Sequence, residues 1–490
     1  MHAGSEFFIS GSKIWNNKAY YPIPPRKIST ELLQGYTAKK YTTMAVHPIE
    51  FRYGTKKMRH VWSEEHRLWR IVDAEIALAM AEAMHGVIPK EDADTISKKA
   101  HDASLDRVKE IEAEISHDMM AIVSAISEVC SEAGRWVHYG ATSNDILDTA
   151  TGLQLKDALD LIEEKLSLLL EALLMRAQST KHLVCIARTH GQHGVPTTYG
   201  LRFAIWACEI ARHIDRLHEM RPRVCVGQLT GAVGTQAALG TVGQKIQASM
   251  MEYLSLVPVL VSNQVIQRDR YAEYFCLLAN IATTLDKIGI EIRSLQRTEI
   301  GEVEEAFGKK QVGSSTMPHK RNPIKSEQVC GLARIVRSAV EPAFQNNTLW
   351  DERDLTNSSC ERVLFAEASI LCDHILAVMI TIIENLHIKE DRVLENLSML
   401  HGINMAESVM IELTKRGMSR QIAHELIRTA SMKALAEKKP LAEILSGDPE
   451  VTTLIPKDEV ETLLDPQTYI GTAVEQVDQV ALTFSKVKPA

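Results

Sequence analysis

The chain lacks several signatures that would have fixed its class at once. Its eight cysteines, at 130, 185, 208, 225, 276, 330, 360 and 372, include no C-x-x-C pair. No H-E-x-x-H occurs, and the histidines are scattered. This pattern predicts no metal site and reduced thiols acting as small hydrophobes in a reducing compartment. Long apolar runs are also missing. The longest, Ile375 to Ile383, is nine residues bracketed by Asp373 and Glu384, too short to cross a bilayer. The N-terminus has no apolar core of the secretory kind, so a cytoplasmic protein without membrane attachment is expected. Nor is there an excess of positive charge. With 55 Lys+Arg against 63 Asp+Glu, a net charge of −8 and a pI near 6.2, wholesale binding of nucleic acid or acidic membrane is excluded. An anionic ligand would need a local basic site.

What is present describes a soluble globular chain of 490 residues, 45% hydrophobic and 24% charged, long enough for two or three domains. Residues 1–46 stand apart: they hold Pro22, Pro24 and Pro25, show no sustained period, and carry six Lys/Arg against two Glu up to residue 43. They read as a poorly ordered extension upstream of the fold, with an organellar transit segment as the alternative. From Ser63 onward, helical periodicity is nearly continuous. Ser63 suits an N-cap followed by Glu64 and Glu65, and Gly86 with Pro89 stops that helix. Thr142 or Ser143 opens a very long segment to about Gln178, and further helices are predicted over roughly 197–220, 236–253, 267–298 and 358–386. Strand-like pieces are few, the best being 183–187 and 224–226.

Helices this long, with wide apolar stripes, must each pack on more than one neighbour. The expected fold is all-α, in three helical domains. An N-terminal domain covers 47–140, and a central long-helix bundle covers 141–386 and carries a loop at 311–325. A C-terminal helical domain covers 387–490. Bundles with surplus apolar face associate through it, so an oligomeric helical core is expected. No fixed repeat supports a monomeric solenoid instead.

Chemistry concentrates in five islands. The densest is Gly313-Ser314-Ser315-Thr316-Met317-Pro318-His319-Lys320-Arg321-Asn322-Pro323, a polar loop between helices rich in groups that bind anions. Arg188-Thr189-His190-Gly191-Gln192-His193-Gly194-Val195-Pro196-Thr197-Thr198 is read as opening a long helix, which would set His190 at a positive helix end. Ser116-His117-Asp118 precedes an apolar helical run. His138-Tyr139-Gly140-Ala141-Thr142-Ser143-Asn144-Asp145 supplies cap residues, and the helix start it builds could equally receive an anion. In Glu352-Arg353-Asp354-Leu355-Thr356-Asn357-Ser358-Ser359-Cys360-Glu361-Arg362, two arginines flank hydroxyls at a helix start. That suits a phosphate, and a surface salt-bridge pair with Asp354 and Glu361 is the plainer alternative.

The loop at 313–323 resembles the signature of the fumarase/aspartase superfamily, G-S-S-x-M-P-x-K-x-N-P, with every fixed position filled. Together the islands resemble the adenylosuccinate lyase family over about residues 48–480, including Arg52-Tyr53 near the start and Met317-Pro318-His319-Lys320-Arg321-Asn322-Pro323 in the loop. The resemblance implies a fumarate-releasing C–N lyase acting on a succinyl-purine nucleotide, with no cofactor, in homotetramers whose active sites are shared between chains. It implies Ser314 as the base, with Ser315 as the fallback, and His190 as the general acid. Lys320 would stabilise charge, Glu327 would pair with a catalytic histidine, and His117 would act as a second histidine. Substrate contacts would come from Arg52, Tyr53, Ser116, Asp118, Thr142, Ser143, Gln264, Ser315, Asn322, Arg353, Ser358 and Arg362. One departure stands out: Ser116 occupies a place where relatives often carry Arg or Lys, removing a cation. Carboxymuconate cycloisomerases share the loop, and the superfamily also includes non-catalytic members. The phosphate-type arginine island argues against the first, and the retained His190, Ser314, Lys320 and Glu327 against the second.

Overall fold

Capping chemistry sets where the rods begin. The structure, a computed structural model, describes residues 46–307, 316–317 and 319–484, and its principal unit runs from Pro48. Residues 1–45 of the expected extension, and Ser314 and Ser315 of the loop, lie outside the described residues. Ser63 caps α1 (Glu64–Met84), its hydroxyl accepting from the His66 N–H at 3.2 Å. His117 caps α2 (Asp118–Cys130). Asp145 reaches back to the Thr142 N–H at 2.9 Å to start α3 (Ser143–Ser179), whose 37 residues make a rod of about 55 Å.

The other rods are α4 (Tyr199–Val224), α5 (Asp269–Leu295), α6 (Ile324–Ser338) and α7 (Thr356–Asn385). Leu159, Ile162, Leu166 and Leu173 of α3, Ile281, Leu285 and Ile288 of α5 and Ile375, Leu376 and Ile383 of α7 are fully buried in the shared core. Polar clamps fix the direction of the rods. At one end, Arg268 just before α5 donates to Asp148 of α3 at 2.8 and 2.9 Å and to Glu361 of α7 at 3.0 Å. At mid-length, Lys165 of α3 meets the buried Asp373 of α7 at 2.5 Å. At the far end, Arg176 of α3 donates to the last carbonyls of α7, Ile383 and Glu384, and to Leu386, at 2.7–2.9 Å. So α3, α5 and α7 run parallel. In contrast, α4 returns along α3, and the strand piece that follows it passes so close to α3 that a Cβ on Gly152 would lie 2.2 Å from the Val226 carbonyl.

By length and composition α7 could cross a membrane, but here it is an interior rod, with 56% of its most apolar window buried, packed on α3, α5 and α6. A second, smaller core from Met405 to Leu464 lies beyond α8 (Glu390–Ser398). The final helix, Ala473–Phe484, returns to α4 and α3, where Asp478 pairs with Lys181 at 2.7 Å.

Two sequence expectations need correction. The Arg188–Thr198 island is not a helix start. It is a β-hairpin of β1 (Val184–Thr189) and β2 (Gln192–Thr198), and the helix begins only at Tyr199 with Thr198 as its cap. Ladder pairing of the buried Val184, Cys185 and Ile186 with Thr198, Thr197 and Pro196, and positive φ at both His190 and Gly191, won over the helical reading. The helix expected from 236 starts at Gly243, because Gln236 and Gly240 both take positive φ. The remaining strands are two-residue pieces: β3 (Val226–Gly227) with β4 (Val257–Pro258), and β5 (Val303–Glu304) with β6 (His387–Ile388).

Burial in α1 has a titratable consequence. Glu82 is fully buried and neither carboxylate oxygen has a hydrogen-bond partner. Burial, reinforced by the nearby Glu75, pushes its carboxyl from 4.5 up to about 8. Between those values the native state holds a proton that the unfolded chain has released, so stability falls as pH rises, by about 1.4 kcal/mol per pH unit. Below 4.5 both states are protonated and nothing is lost. Glu82→Met is therefore expected to stabilise the protein most at pH 8–9, with the gain shrinking towards pH 5. Denaturant melts across pH check this, and a pH-independent difference would contradict it.

Candidate active site

The residues singled out from sequence gather at opposite ends of the rods. At the end where α2, α3 and α7 begin, a cavity of about 710 Å³ is lined by seven of them: Ser116, His117, Asp118, Ser143, Arg353, Ser358 and Arg362. Three helix starts thus converge on one space, each with N–H groups and a positive dipole end. The His117 ring accepts the Met120 N–H through Nδ1 at 3.2 Å, which leaves the proton on Nε2 and the ring half-exposed. Ser116 occupies the left-handed turn, φ 54°, that ends the preceding helix.

Arg362 pairs with Asp118. Burial opposes ionisation of Asp118, but the Met119 N–H and the Arg362 guanidinium hold its carboxyl below the usual range. Arg353 donates to the side-chain oxygen of Gln264 at 3.1 Å, while its buried Nε has no partner. That bond brings Gln264 to the edge of the cavity. Thr142, the cap residue just before Ser143, is not among the residues that line the cavity.

The plainer reading of the two arginines, pairing with Asp354 and Glu361, does not hold. Asp354 caps its own turn, accepting from the N–H groups of Trp350 and Thr356, and Glu361 faces Arg268. Beneath the cavity, the Arg268–Asp148–Glu361 cluster sets the α7 start against α3. Sequence inspection missed Arg268 in this role; its signal was the Gln267-Arg268-Asp269-Arg270 run after Gln264.

At the opposite end, a cavity of about 830 Å³ is lined by Lys320, Asn322 and Glu327 with Arg293, Arg297 and His319. Arg293 and Arg297, at the end of α5, are additional cations that nothing in the islands indicated. An adjoining cavity of about 750 Å³ shares Ser294 and Arg297 with it and is walled by Arg188, Gly191 and His193 of the hairpin. His190 sits at the hairpin tip, φ 55°, next to Gly191 at 75°, with Thr189 and Gln192 paired across the turn. Positive φ at both central residues is the two-residue hairpin geometry.

Along α5, Arg268 and Ser294 are separated by about 40 Å of helix, so the arginine cavity and the lysine cavity are far apart in one chain. Arg52 and Tyr53 join neither. Tyr53 packs on His374 of α7 at 5.5 Å between ring centroids, about 18 Å along the helix from Arg362, with Arg52 over the Tyr53 ring. Among the described residues no group of three or more His, Cys, Asp or Glu could hold a metal.

Comparison with known proteins gives a consistent answer. A family profile described as Lyase matches residues 50–337, and one described as Adenylosuccinate lyase C-terminus matches 402–480. The chain is 53% identical over 449 residues to an adenylosuccinate lyase of Methanocaldococcus jannaschii, covering 91% of this chain and 97% of that one. It is 51% identical to the adenylosuccinate lyase of Archaeoglobus fulgidus, with 91% and 100% coverage. Among solved structures it is similar to a fumarate lyase from Mesorhizobium sp. BNC1, with TM-score 0.81, 30% identity and coverage of 89% and 99%. It is also similar to a 3-carboxy-cis,cis-muconate lactonizing enzyme from Pseudomonas putida, with TM-score 0.81, 32% identity and coverage of 90% and 99%.

The arginine cavity predicts anion binding without any substrate chemistry. Inorganic phosphate at ten times its dissociation constant should raise stability by about 1.4 kcal/mol. Arg362→Ala should abolish most of that increment, as a thermal-shift titration would read. An undiminished increment in the variant would place the anion elsewhere.

Proposed function

The chain belongs to the adenylosuccinate lyase family of the fumarase/aspartase superfamily, and from that premise we propose how its two ends divide the reaction. The enzyme is a C–N lyase that releases fumarate from adenylosuccinate, leaving AMP. We assign it the parallel reaction in purine synthesis as well, from SAICAR to AICAR. The observation that carries the reading is the arginine cavity. Arg353, Ser358 and Arg362 meet Ser143 and His117 at converging helix starts, a donor set made for a phosphate monoester. A cycloisomerase of carboxymuconate has no phosphate to place there, which outweighs the structural likeness to the lactonizing enzyme.

Elimination requires a proton to leave a carbon beside a carboxylate while the C–N bond breaks. That carbon acid is very weak, so stabilising the dianionic intermediate is the main task. Lys320 and Asn322 hold the succinyl carboxylates, and the pooling of Lys320 with Arg293 and Arg297 in one cavity supports this. Ser314 takes the proton, with Ser315 the fallback, and a nearby cation stabilises the alkoxide. His190 protonates the departing nitrogen, a step worth roughly 10²–10⁴-fold. Glu327, lining the same cavity as Lys320, orients a catalytic histidine. His117 and Asp118 border the phosphate, Thr142, Ser143 and Gln264 contact the nucleotide, and Arg52 and Tyr53 contribute from outside the cavity. Ser116 leaves this pocket one cation poorer than in many relatives.

One nucleotide cannot reach both cavities across about 40 Å of a single chain, so each active site is assembled from different chains of a homotetramer. Leu168 and Met175 of α3, Ile205 of α4 and Ile290 of α5, each about half exposed, offer an apolar face for that assembly.

A spectrophotometric assay with adenylosuccinate should show fumarate, and Ser314→Ala and His190→Ala should each lower kcat by about 10²–10⁴-fold. Mixing inactive His190→Ala with inactive Arg362→Ala, then exchanging subunits, should restore activity, since about a quarter of shared sites regain two intact halves. A mixture that stays dead would mean that each chain works alone.

A further inference from the structure

We propose that Glu302 is a positioning residue that locks the His190 hairpin to the stem of the Ser314 loop. The inference rests on the assignment of those two residues above, and goes beyond it. Glu302 lies outside every island and is fully buried. Burying a carboxylate costs several kcal/mol unless donors compensate it, so its partners reveal what it organises. They come from three places. Arg188 of β1 donates from Nη2 at 2.6 Å, the Tyr199 hydroxyl at the α4 start donates at 2.7 Å, and Asn396 of α8 donates at 2.9 Å. The Glu302 backbone is tied as well, its N–H to the Leu295 carbonyl at the end of α5 and its carbonyl to the Lys389 N–H.

The next residues form the loop's stem. Val303 and Glu304 pair with β6, and Glu304 also binds Arg321. Glu305 accepts from the N–H groups of Lys325 and Ser326 at 3.1 and 2.7 Å and from the Ser326 hydroxyl at 2.5 Å. Both ends of the loop are thereby pinned together, and Glu302 fastens that pin to the hairpin.

On the hairpin side the alternatives are weak. Val184 and Ile186 pack with Leu397, but apolar contact is non-directional and sits at the hairpin base. Arg188 is two residues, about 7 Å, from His190. Its other terminal nitrogen, Nη1, is buried without a partner, so Glu302 supplies its directional contact. A catalytic group displaced by about 1 Å can lose on the order of 10²-fold in rate.

Glu302→Gln keeps the shape and can still bond Tyr199 and Asn396, but it removes the charge that holds Arg188. We expect kcat to fall about 10- to 100-fold. KM for adenylosuccinate should stay within about twofold, because the phosphate is held at the other end. The melting midpoint and oligomeric state should change little. Arg188→Gln should reproduce the effect, and the double variant should be no slower than the worse single one. If Glu302→Gln does not fold, Arg188→Gln carries the test alone, by the same kcat loss at constant KM. An active wild type with either folded variant at full kcat overturns the inference alone. So does a parallel loss of kcat, KM and melting midpoint, which would mark a purely structural role. A wild type that releases no fumarate overturns the reading of function and this inference with it.

Discussion

The rigid length of a helix governs this molecule. A rod rises 1.5 Å per residue whatever its sequence. Once α3, α5 and α7 are committed to 37, 27 and 30 residues, the groups at their two ends cannot meet within one chain. Internal clamps make the commitment firm. Arg268 with Asp148 and Glu361 fixes the rod starts, Lys165 with Asp373 holds the middle, and Arg176 caps the end of α7. Each is a buried or half-buried charge that would be expensive to strand, so sliding one rod against another is penalised at three heights.

The two ends solve different chemical problems with different backbone. Recognition of a phosphate, the role proposed for the arginine cavity, needs many fixed donors and little movement, and three helix starts with two arginines suit that. Proton transfer and stabilisation of a dianion need cations and a base beside the reacting carbon. In the proposed mechanism those groups come from the hairpin tip and from the segment after Glu305, and the stem before that segment holds the buried carboxylates Glu302 and Glu305. The anchor matters because a side chain is placed accurately only where the residues that support it are locked by packing and hydrogen bonds.

Much of this was legible in the order of residues. Ser63, Thr142 and Gly86 marked helix ends because caps act over three or four residues, and the long apolar stripes announced rods for the same local reason. The arginine island was recognisable because two guanidinium groups and three hydroxyls lie within ten residues. Its partners were not. Pairing of Arg353 and Arg362 with Asp354 and Glu361, their neighbours in sequence, was the plainer alternative, but the nearer carboxyl caps its own turn and the other faces Arg268. The hairpin was read as a helix start because Pro196, Thr197 and Thr198 do precede a helix. Positive φ at His190 and Gly191 is a backbone choice that strand pairing imposes.

Residue order alone determined the chemical vocabulary: which hydroxyls, imidazoles and cations exist, the helical class, and the membership in the adenylosuccinate lyase family. Local spacing suffices for these, because caps, periodicity and motifs depend on neighbours. Tertiary structure alone decided that the arginine and lysine cavities lie at opposite poles, that Arg293 and Arg297 join the second of them, and that Glu302 ties hairpin to loop. Those facts depend on contacts between residues far apart in sequence, such as Glu302 with Arg188 or Arg362 with Asp118, and only the packing of the rods brings such pairs together.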